Sequence, residues 1–349
     1  MSITMKEIAD LAGVHRSTVD KVIHDRPGVS EPVRARIKKL IAENDYQPNP
    51  VGIALKNQNR AFHIAVILSD VDCTDYNITG IKEALSQYSG YDIRIKYHIL
   101  KFSETSRMYD IMMDIKDKRS ADGVIIMPPT SSRLKNAVNE LMDAEIPVVC
   151  INAPLPDTNT LCYIGGDHSE SSRLAAHLLG EFIGRKGQIA IITSAIASEN
   201  NNSSVKVREE NFEKLIQDNY PEISIVEHVE SFEDPEITYR KTLDLLRGCP
   251  KLKGIYITCG GAYKVGDALN EMNLSNKIAV ISHELYPEII DMLRDNTILC
   301  TIGSELTKQG RLALKTLMDY ALFGTLPKSK DLFTKSEVIL KENIGVIEP

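Results

Sequence analysis

Side chains that can hydrogen-bond to base edges stand together at the start of one predicted helix. Arg16, Ser17 and Lys21 fall on the outward side of this helix, which runs from about residue 16 to residue 24 and keeps its Val and Ile side chains inward. Arginine donates two parallel hydrogen bonds to guanine O6 and N7, whereas serine is permissive about its base. This arrangement predicts contact with base edges in the major groove of DNA.

Two further helices are needed to hold this helix on DNA. Thr4 and Glu7 have the spacing of a capping box, and Ala12-Gly13-Val14 makes the tight connection of a helix-turn-helix. The third helix is predicted to begin at Ser30, with Pro32 in its first turn, where a missing N–H costs nothing. The apolar residues expected to form one small core are Ile8, Leu11, Val19, Val22, Ile23, Val33, Ile37, Leu40 and Ile41. The alternative is a small solvated bundle without a DNA role.

Four motifs in this region occur together in a known family. They are Met-Lys-Glu-Ile-Ala-Asp-Leu-Ala-Gly-Val at residues 5–14, Ser-Thr-Val at 17–19, Pro-Gly-Val-Ser at 27–30 and Tyr-Gln-Pro-Asn at 46–49. In this order they closely resemble the headpiece of the LacI/GalR repressor family. The resemblance implies a homodimeric transcriptional regulator that binds a near-palindromic operator with one recognition helix per half-site.

Carried over position by position, the resemblance implies a set of DNA contacts. Arg16 and Ser17 fall where the family reads bases, and Lys21 falls where it reads bases or phosphate. Phosphate contacts would fix the register without reading sequence. The residues expected to contact DNA from the headpiece are His15, Arg16, Ser17, Thr18, Lys21, Ser30 and Asn49.

Two positions depart from the family's pattern. His15 stands where a serine usually caps the recognition helix, so this cap is either weaker or made differently. Asp20 replaces a small hydroxyl residue, and its carboxylate is repelled by phosphate. It could accept from a cytosine amino group or pair with Lys21. The operator sequence therefore does not transfer from relatives.

Residues 49–56 resemble the family's hinge helix. Asn49 is a capping residue and Pro50 follows at the first helical position, but Gly52 costs about 1 kcal/mol relative to alanine, so the helix is weak alone. In the family this segment orders on DNA and wedges a leucine into the minor groove. Leu55 matches that wedge and Lys56 the neighbouring cation. The alternative is an ordinary linker ending at residue 60.

Composition supports a small head on a larger body. The first 60 residues hold ten Lys and Arg against seven Asp and Glu, while the remainder holds 31 against 41. This concentrates attraction to phosphate in the head. The six cysteines are scattered without metal-ligand spacing, so we expect reduced thiols, no metal and no cofactor. We find no signal segment and no apolar run of membrane length, and expect a cytoplasmic protein without a membrane partner.

Beyond the head, short apolar runs alternate with amphipathic stretches. Strands are expected at residues 63–68, 93–99, 123–127, 148–151, 188–193, 223–229, 254–258, 277–282, 297–302 and 337–340. Helices are expected at 78–88, 134–143, 169–183, 205–218 and 306–322. This alternation predicts an α/β body with parallel sheets. Two such sheets resemble the periplasmic sugar-binding-protein fold that follows the headpiece in the family.

The expected organisation has three parts. A headpiece covers residues 1–48, a hinge covers 49–60, and an effector-binding and dimerisation domain covers 61–349. Within this last domain, one lobe is expected to hold residues 61–160 and 286–325, and the other 161–285 and 326–349.

Ligands of such folds bind at the carboxyl ends of strands and at nearby helix N-termini. The residues expected to contact an effector are therefore Asp70, Asp72, Tyr76, Asn152, Asp167, His168, Arg208, His283 and Glu284. Arg208 matches the family's sugar-contacting arginine. Carboxylates and amides accept from neighbouring hydroxyls, and a guanidinium donates in a fork, which suits a sugar, a polyol or a sugar derivative. Cys259-Gly260-Gly261 replaces a usual Asn-Asp pair, so a sugar acid, an inositol and an amino sugar all remain open.

The predicted function is a DNA-binding regulator, most simply a repressor, whose operator affinity follows lobe closure around the effector. Whether the effector loosens or tightens DNA binding stays open. Control by a phosphorylated carrier protein and sugar binding without coupling to DNA are alternatives. A secreted transport protein is opposed by the headpiece. An enzyme is not expected, because the chain has no nucleophile elbow, P-loop or zinc motif.

Overall fold

A computed structural model describes residues 3–23, 28–44, 46, 60–101, 103–195 and 203–345, except for the side chain of Asp20. Among these residues, no helix is both long and apolar enough to cross a membrane.

Three helices form the headpiece: α1 (Met5–Ala12), α2 (Arg16–Ile23) and α3 (Glu31–Glu43). The predicted capping box is present, since the Glu7 N–H donates to Thr4 Oγ1 at 3.2 Å and the Thr4 N–H donates to Glu7 Oε2 at 2.7 Å. Gly13 ends α1 with a φ of 61°, a left-handed conformation that glycine adopts without strain. The fully buried core of the headpiece consists of Ile8, Ala9, Ala12, Val19, Val22 and Ile37.

The prediction that Leu11 belongs to the headpiece core is wrong. The side chain of Leu11 is 53% exposed, because the buried face of α1 passes through Ile8, Ala9 and Ala12. Ile23, Val33, Leu40 and Ile41 are only partly buried at the edge of the same core. The headpiece core is therefore narrower than the apolar pattern suggests.

The body consists of two six-stranded sheets. The first has the strand order β11-β5-β4-β3-β1-β2, with every neighbouring pair parallel. Its strands are β1 (Ala61–Ser69), β2 (Asp92–Leu100), β3 (Gly123–Ile126), β4 (Val148–Ile151), β5 (Cys162–Gly166) and β11 (Asp331–Thr334). Helices pack on both of its faces: α4 (Thr74–Ser86) and α12 (Leu306–Phe323) on one, α5 (Thr105–Lys118) and α6 (Ser132–Asp143) on the other. This sheet and these helices are the first lobe.

The second sheet has the order β12-β10-β9-β8-β6-β7 and is parallel except for the edge pair β10–β12. Its strands are β6 (Lys186–Thr193), β7 (Glu222–Glu230), β8 (Leu252–Ile257), β9 (Ala279–His283), β10 (Cys300–Gly303) and β12 (Glu337–Ile339). The helices of this second lobe are α7 (His168–Phe182), α8 (Ser203–Asn219), α9 (Pro235–Gly248), α10 (Ala262–Glu271) and α11 (Pro287–Arg294). The predicted α/β class with two parallel-dominated sheets is confirmed.

The pairing of strands in the two sheets places the lobe boundaries at different residues from those predicted. The chain passes between the lobes after β5, after β10 and between β11 and β12. Residues 161–166 and 326–334 are predicted in the second lobe, but β5 and β11 pair within the first sheet. Residues 286–303 are predicted in the first lobe, but β10 pairs with β9 in the second sheet.

Helices α4 and α12 touch backbone to backbone in the first lobe. A Cβ built on Gly310 would lie 2.0 Å from the Asn77 carbonyl oxygen, and a Cβ on Gly80 would lie 1.8 Å from the Thr307 carbonyl oxygen. The buried Asn77 amide also donates to the Leu306 carbonyl at 2.9 Å. Glycine is therefore required at both helix positions because any side chain would push the helices apart.

Candidate functional site

The recognition helix α2 is capped by an imidazole. His15 Nδ1 accepts a hydrogen bond from the Ser17 N–H at 3.3 Å and lies 2.8 Å from Ser17 Oγ. The ring nitrogen thus takes the place of the hydroxyl oxygen that a serine cap would supply. The sequence left open whether the cap at His15 is weaker or is made differently, and the structure shows a cap that is made differently.

The side chains expected to read bases are accessible. Arg16 and Ser17 are exposed in the first turn of α2 and Lys21 is exposed in its last turn, while Thr18 is half-buried. Ser30 is exposed and precedes α3, but its side chain makes no capping hydrogen bond, contrary to the expected cap. The remaining DNA-contact predictions, on Asn49, Leu55 and Lys56, lie outside the described residues, as does the pairing of the Asp20 side chain.

The body has a cleft between its lobes where strand ends from both sheets meet. Five predicted residues line it together: Asp72, Asn152, Arg208, His283 and Glu284. Ser69, Val71, Cys73, Met127, Pro128, Ser204, Val205, Glu233, Cys259, Gly260 and Tyr286 complete the lining. The five predicted residues therefore lie together at the strand ends, where ligands of such folds bind.

A buried ion pair forms the floor of the cleft in the second lobe. Arg208, which is 7% exposed, donates from Nη1 to the Thr258 carbonyl at 3.0 Å, and its Nη2 lies 3.6 Å from Glu284 Oε1. The Glu284 carboxylate also accepts from the Ser304 hydroxyl at 2.8 Å and from the Ser304 N–H at 3.1 Å. Burial raises the pKa of Glu284, and the Arg208 charge and the Ser304 hydrogen bonds oppose that rise.

Two buried histidines are neutral rings, of which His283 lines the cleft and His168 does not. Burial, followed by the Arg208 charge, lowers the pKa of His168 to about 3 and that of His283 well below its usual value. His168 Nε2 lies 3.0 Å from the Asn152 carbonyl oxygen, so that nitrogen carries the hydrogen. His283 Nε2 lies 2.8 Å from the Tyr256 hydroxyl. His168 thus supports the Asn152 turn from behind and does not line the cleft.

Three other predicted residues are not part of the lining. Asp70 is exposed at the end of β1. Asp167 caps α7, accepting from the N–H groups of Ser169 at 2.9 Å and Glu170 at 3.0 Å. Tyr76 is half-buried and packs against apolar clusters of both lobes, so it contacts each lobe near their junction without lining the cleft.

Glu233 is the principal residue that the sequence analysis missed. It follows the end of β7 by three residues and has a left-handed backbone with a φ of 55°. Burial raises the pKa of its carboxyl, which a hydrogen bond with Ser194 partly offsets. Applying the strand-end rule to β7 would have found it.

Side chains at the start of α8 join the two lobes. The Ser203 hydroxyl donates to the Pro154 carbonyl at 2.6 Å, and the Ser204 hydroxyl donates to the Asn152 carbonyl at 3.4 Å. Both acceptors belong to the first lobe, beyond the end of β4. The described conformation therefore has the lobes in direct contact across the cleft.

A separate cluster of metal-ligand type lies between α8 and β7. His228 Nε2 lies 2.7 Å from Glu213 Oε1 and 3.7 Å from Glu209 Oε1. Glu209 Oε2 accepts from the Thr193 hydroxyl at 3.1 Å. These contacts already link the three side chains to one another and to Thr193, so no metal is required to explain the cluster.

A three-helix headpiece and a two-lobed body with a polar interlobe cleft define a DNA-binding domain joined to a periplasmic-binding-protein fold. Residues 4–49 match the family described as bacterial regulatory proteins, lacI family, and residues 64–325 match the periplasmic binding protein domain. The chain belongs to the periplasmic binding protein domain family and carries the lacI-family headpiece.

Relatives and solved structures agree with this assignment. The chain is 25% identical to the HTH-type transcriptional regulator MalR of Staphylococcus xylosus over 212 residues, which are 57% of this chain and 60% of MalR. It is 38% identical to catabolite control protein B of Bacillus subtilis over 105 residues, which are 27% and 33% of the two chains. The matches thus span less than two thirds of these relatives.

Solved structures show the same body fold. A putative LacI transcriptional regulator from Bacteroides fragilis superimposes with a TM-score of 0.76 at 20% identity, covering 83% of this chain and 100% of the other. A solute-binding protein from Burkholderia graminis, solved in complex with D-arabinose, has a TM-score of 0.76 at 22% identity, with 82% and 98% covered.

Proposed function

We propose that this protein is a sequence-specific DNA-binding transcriptional regulator, acting as a repressor, whose operator affinity is set by a small carbohydrate-like effector in the interlobe cleft. The observation that carries the proposal is the presence, on one chain, of a lacI-family headpiece and of a cleft lined by Arg208, Glu284 and Asn152. The protein works in the cytoplasm, as a homodimer on near-palindromic DNA, and catalyses no reaction.

The headpiece supplies the DNA half of this function. Arg16 and Ser17 read bases, Lys21 contacts a base or phosphate, and Thr18, Ser30 and Asn49 contact phosphates. His15 fixes the first turn of α2 through its bond to the Ser17 N–H, so its role is to position the base-reading side chains. Leu55 and Lys56 enter the minor groove from the hinge.

The cleft supplies the effector half. Arg208 and Glu284 offer a fork of donors beside a carboxylate, and the Asn152 amide adds a neutral partner, a set that recognises neighbouring hydroxyl groups. Solute-binding proteins of the same fold have been solved with D-arabinose, D-fucose, D-allose and myo-inositol. A monosaccharide, a polyol or a derivative of either is the expected class.

The two halves are coupled through lobe orientation. The hydrogen bonds from Ser203 and Ser204 to the first lobe form only when the lobes are close. An effector that favours this orientation changes the spacing of the paired hinge segments in a dimer, and hence their ability to fold in the minor groove. The size of the change is bounded by the difference in effector affinity between the two orientations.

The test uses the full chain and an operator selected from a random DNA pool. Affinity for that operator and for scrambled DNA is measured by fluorescence anisotropy at fixed salt. Leu55→Ala should weaken operator binding far more than scrambled-DNA binding, because wedging requires the specific complex. A control variant, Lys341→Ala, changes an exposed residue that follows β12 and should change neither affinity. Equal affinity of the wild-type chain for both DNAs at every salt concentration would disprove sequence-specific regulation.

A ligand screen tests the coupling. Sugars and polyols are tested for a shift in melting temperature, and each compound that binds is added to the operator assay. At least one should change both melting temperature and operator affinity. A compound that binds tightly in the cleft and leaves operator affinity unchanged contradicts the coupling.

A further inference from the structure

Two carboxylates from opposite lobes meet above Gly260 in the cleft. Asp72 comes from the first lobe, just after β1, and Glu233 comes from the second, just after β7. A carbon built as Cβ on Gly260 would lie 3.7 Å from Asp72 Oδ2 and 3.8 Å from Glu233 Oε2. Because Gly260 has no side chain, the space beside both oxygens stays open to a ligand.

The described part of the chain places no cation within ion-pair distance of these two acids, and among charged groups only the more distant Arg208 opposes the rise in the pKa of Glu233 that burial causes. Neither carboxylate forms an ion pair with a described Lys, Arg or His. Arg208, the only Lys or Arg in the described lining, is held by Glu284 and the Thr258 carbonyl. Burial raises the pKa of the carboxyl groups of Asp72, Glu233 and Glu284, and when all three are ionised a single guanidinium leaves this part of the cleft with an excess of negative charge.

A buried hydroxyl beside the acids is an independent sign of a ligand. The side chain of Tyr286 is 3% exposed and lines the same cleft; its hydroxyl lies near Asp72 and the Ala262 N–H, but forms no hydrogen bond of normal geometry with any of the described residues. An unsatisfied buried hydroxyl costs free energy, so a ligand atom that bonds to it is favoured. Burial and the nearby Asp72 charge also raise the pKa of Tyr286, so the hydroxyl stays protonated.

We propose that the effector carries a protonated amino group, which binds between Asp72 and Glu233 while its hydroxyl groups face Arg208 and Glu284. The effector is then an amino sugar or an amino-substituted polyol. This inference rests on the proposed function and narrows its ligand class. An ammonium group has three donors, enough for both carboxylates and for the Tyr286 hydroxyl.

A divalent metal fits the same residues poorly. Calcium requires six to eight oxygen ligands and magnesium an octahedral set. Within the described residues, the carboxylates of the cleft do not form a group of three with ligand atoms in mutual range, whereas Glu209, Glu213 and His228 do so elsewhere. The cleft is thus arranged for a cation with few, directed donors.

The position of the amine also explains how it would control the lobes. Asp72 and Glu233 repel each other when both are ionised, and each is carried by a different lobe. A cation between them replaces this repulsion with two attractions, both of which are lost when the lobes separate. The amine therefore binds the closed orientation more tightly than the open one.

The test compares matched compounds on the full chain. Thermal shift and calorimetry are run with D-glucosamine, D-glucose and N-acetyl-D-glucosamine, with the corresponding galactose and mannose sets, and with an inosamine against myo-inositol. In at least one set the amine should bind at least tenfold more tightly than both neutral compounds. Glu233→Gln and Asp72→Asn should each remove at least tenfold of the amine's affinity, whereas Glu236→Gln, an exposed carboxylate on α9, should not change it.

Each other outcome overturns the inference. Equal binding of amine and neutral compounds refutes the charged amine but leaves a carbohydrate effector in place. Binding of Ca²⁺ or Mg²⁺ that is lost in Glu233→Gln assigns the acids to a metal instead. Binding of no carbohydrate of any charge by the folded wild-type chain refutes both the amine and the proposed effector class.

Discussion

Replacement of Gly310 by alanine tests whether the backbone contact between α4 and α12 holds the first lobe together. The new Cβ would lie 2.0 Å from the Asn77 carbonyl oxygen, 2.8 Å from its carbonyl carbon and 3.1 Å from its Cα. These are backbone atoms, which cannot rotate away as a side chain can. To restore van der Waals distances of about 3.5 Å, the helices must separate by more than about 1 Å.

The expected cost follows from this displacement. Overpacking a tight core costs about 1–3 kcal/mol, and the contact with several backbone atoms places Gly310→Ala at the upper end. Better helix propensity returns up to about 1 kcal/mol, which leaves a net loss of about 2 kcal/mol. For a domain of this size, that loss lowers the melting temperature by about 4–8 °C. Circular dichroism or differential scanning fluorimetry of the full chain measures it.

A matched control separates the contact from the substitution itself. Gly248 ends α9, and no atom lies within 4 Å of the position that a Cβ would occupy there, so Gly248→Ala should leave the melting temperature unchanged or raise it slightly. Gly80→Ala, on the other helix of the contact, should behave like Gly310→Ala. If Gly310→Ala melts within about 1 °C of the wild type (about 0.3 kcal/mol), the two helices are not held together by this close backbone contact.

Three further predictions concern the sites. Arg208→Ala should cost about 3–5 kcal/mol of stability by leaving Glu284 buried without its counter-charge, and should abolish effector-induced melting shifts. Arg208→Lys should retain more stability but lose at least tenfold in effector affinity. Wild-type effector affinity in either variant would refute the role of Arg208 in effector binding. His15→Ala should cost about 0.5–2 kcal/mol of stability through loss of the cap and should weaken operator binding, whereas His15→Ser should restore operator binding. Equal operator affinities in the two variants would contradict the capping role of His15. His168 has a pKa of about 3 in the folded chain, below its unfolded value of 6.5, so the unfolded chain takes up a proton first as the pH falls. Stability therefore falls by up to about 1.4 kcal/mol per pH unit as the pH drops from 6.5 toward 3. His168→Asn should flatten this slope in denaturant melts at different pH values, and an unchanged slope would refute a neutral buried ring.

The periodicity of the sequence predicts most of the body because most strands are buried on both faces. Strands such as β3 and β4 are continuous apolar runs, and the helices between them are amphipathic. The two strands that the sequence analysis missed lack this signal. β5 ends in Gly165-Gly166, residues with poor strand propensity, and β11 is a largely exposed edge strand. The misplacement of residues 161–166 and 326–334 follows from these two omissions.

The cleft lining is predictable where a side chain follows a strand within a few residues. Asp72, Asn152 and Glu284 follow β1, β4 and β9 in this way, and all three line the cleft. The same rule cannot tell which of two nearby acids faces the cleft, and so it also selects Asp70. Asp167 shows a second limit, since a residue between a strand and a helix can serve as a helix cap, and only the hydrogen bonds to the following N–H groups reveal this.

Opposing contacts across the cleft explain why the lobes can respond to a small ligand. Hydrogen bonds from Ser203 and Ser204 favour closure, whereas repulsion between Asp72 and Glu233 opposes it when both carboxylates are ionised. Each of these two contributions is of the order of one kcal/mol, so neither dominates the other. A ligand that replaces the repulsion with attraction shifts the population by its difference in affinity for the two orientations. The ion pair of Arg208 and Glu284 lies within the second lobe, so under the proposed function these residues would select the ligand while the acids from opposite lobes would transmit its presence.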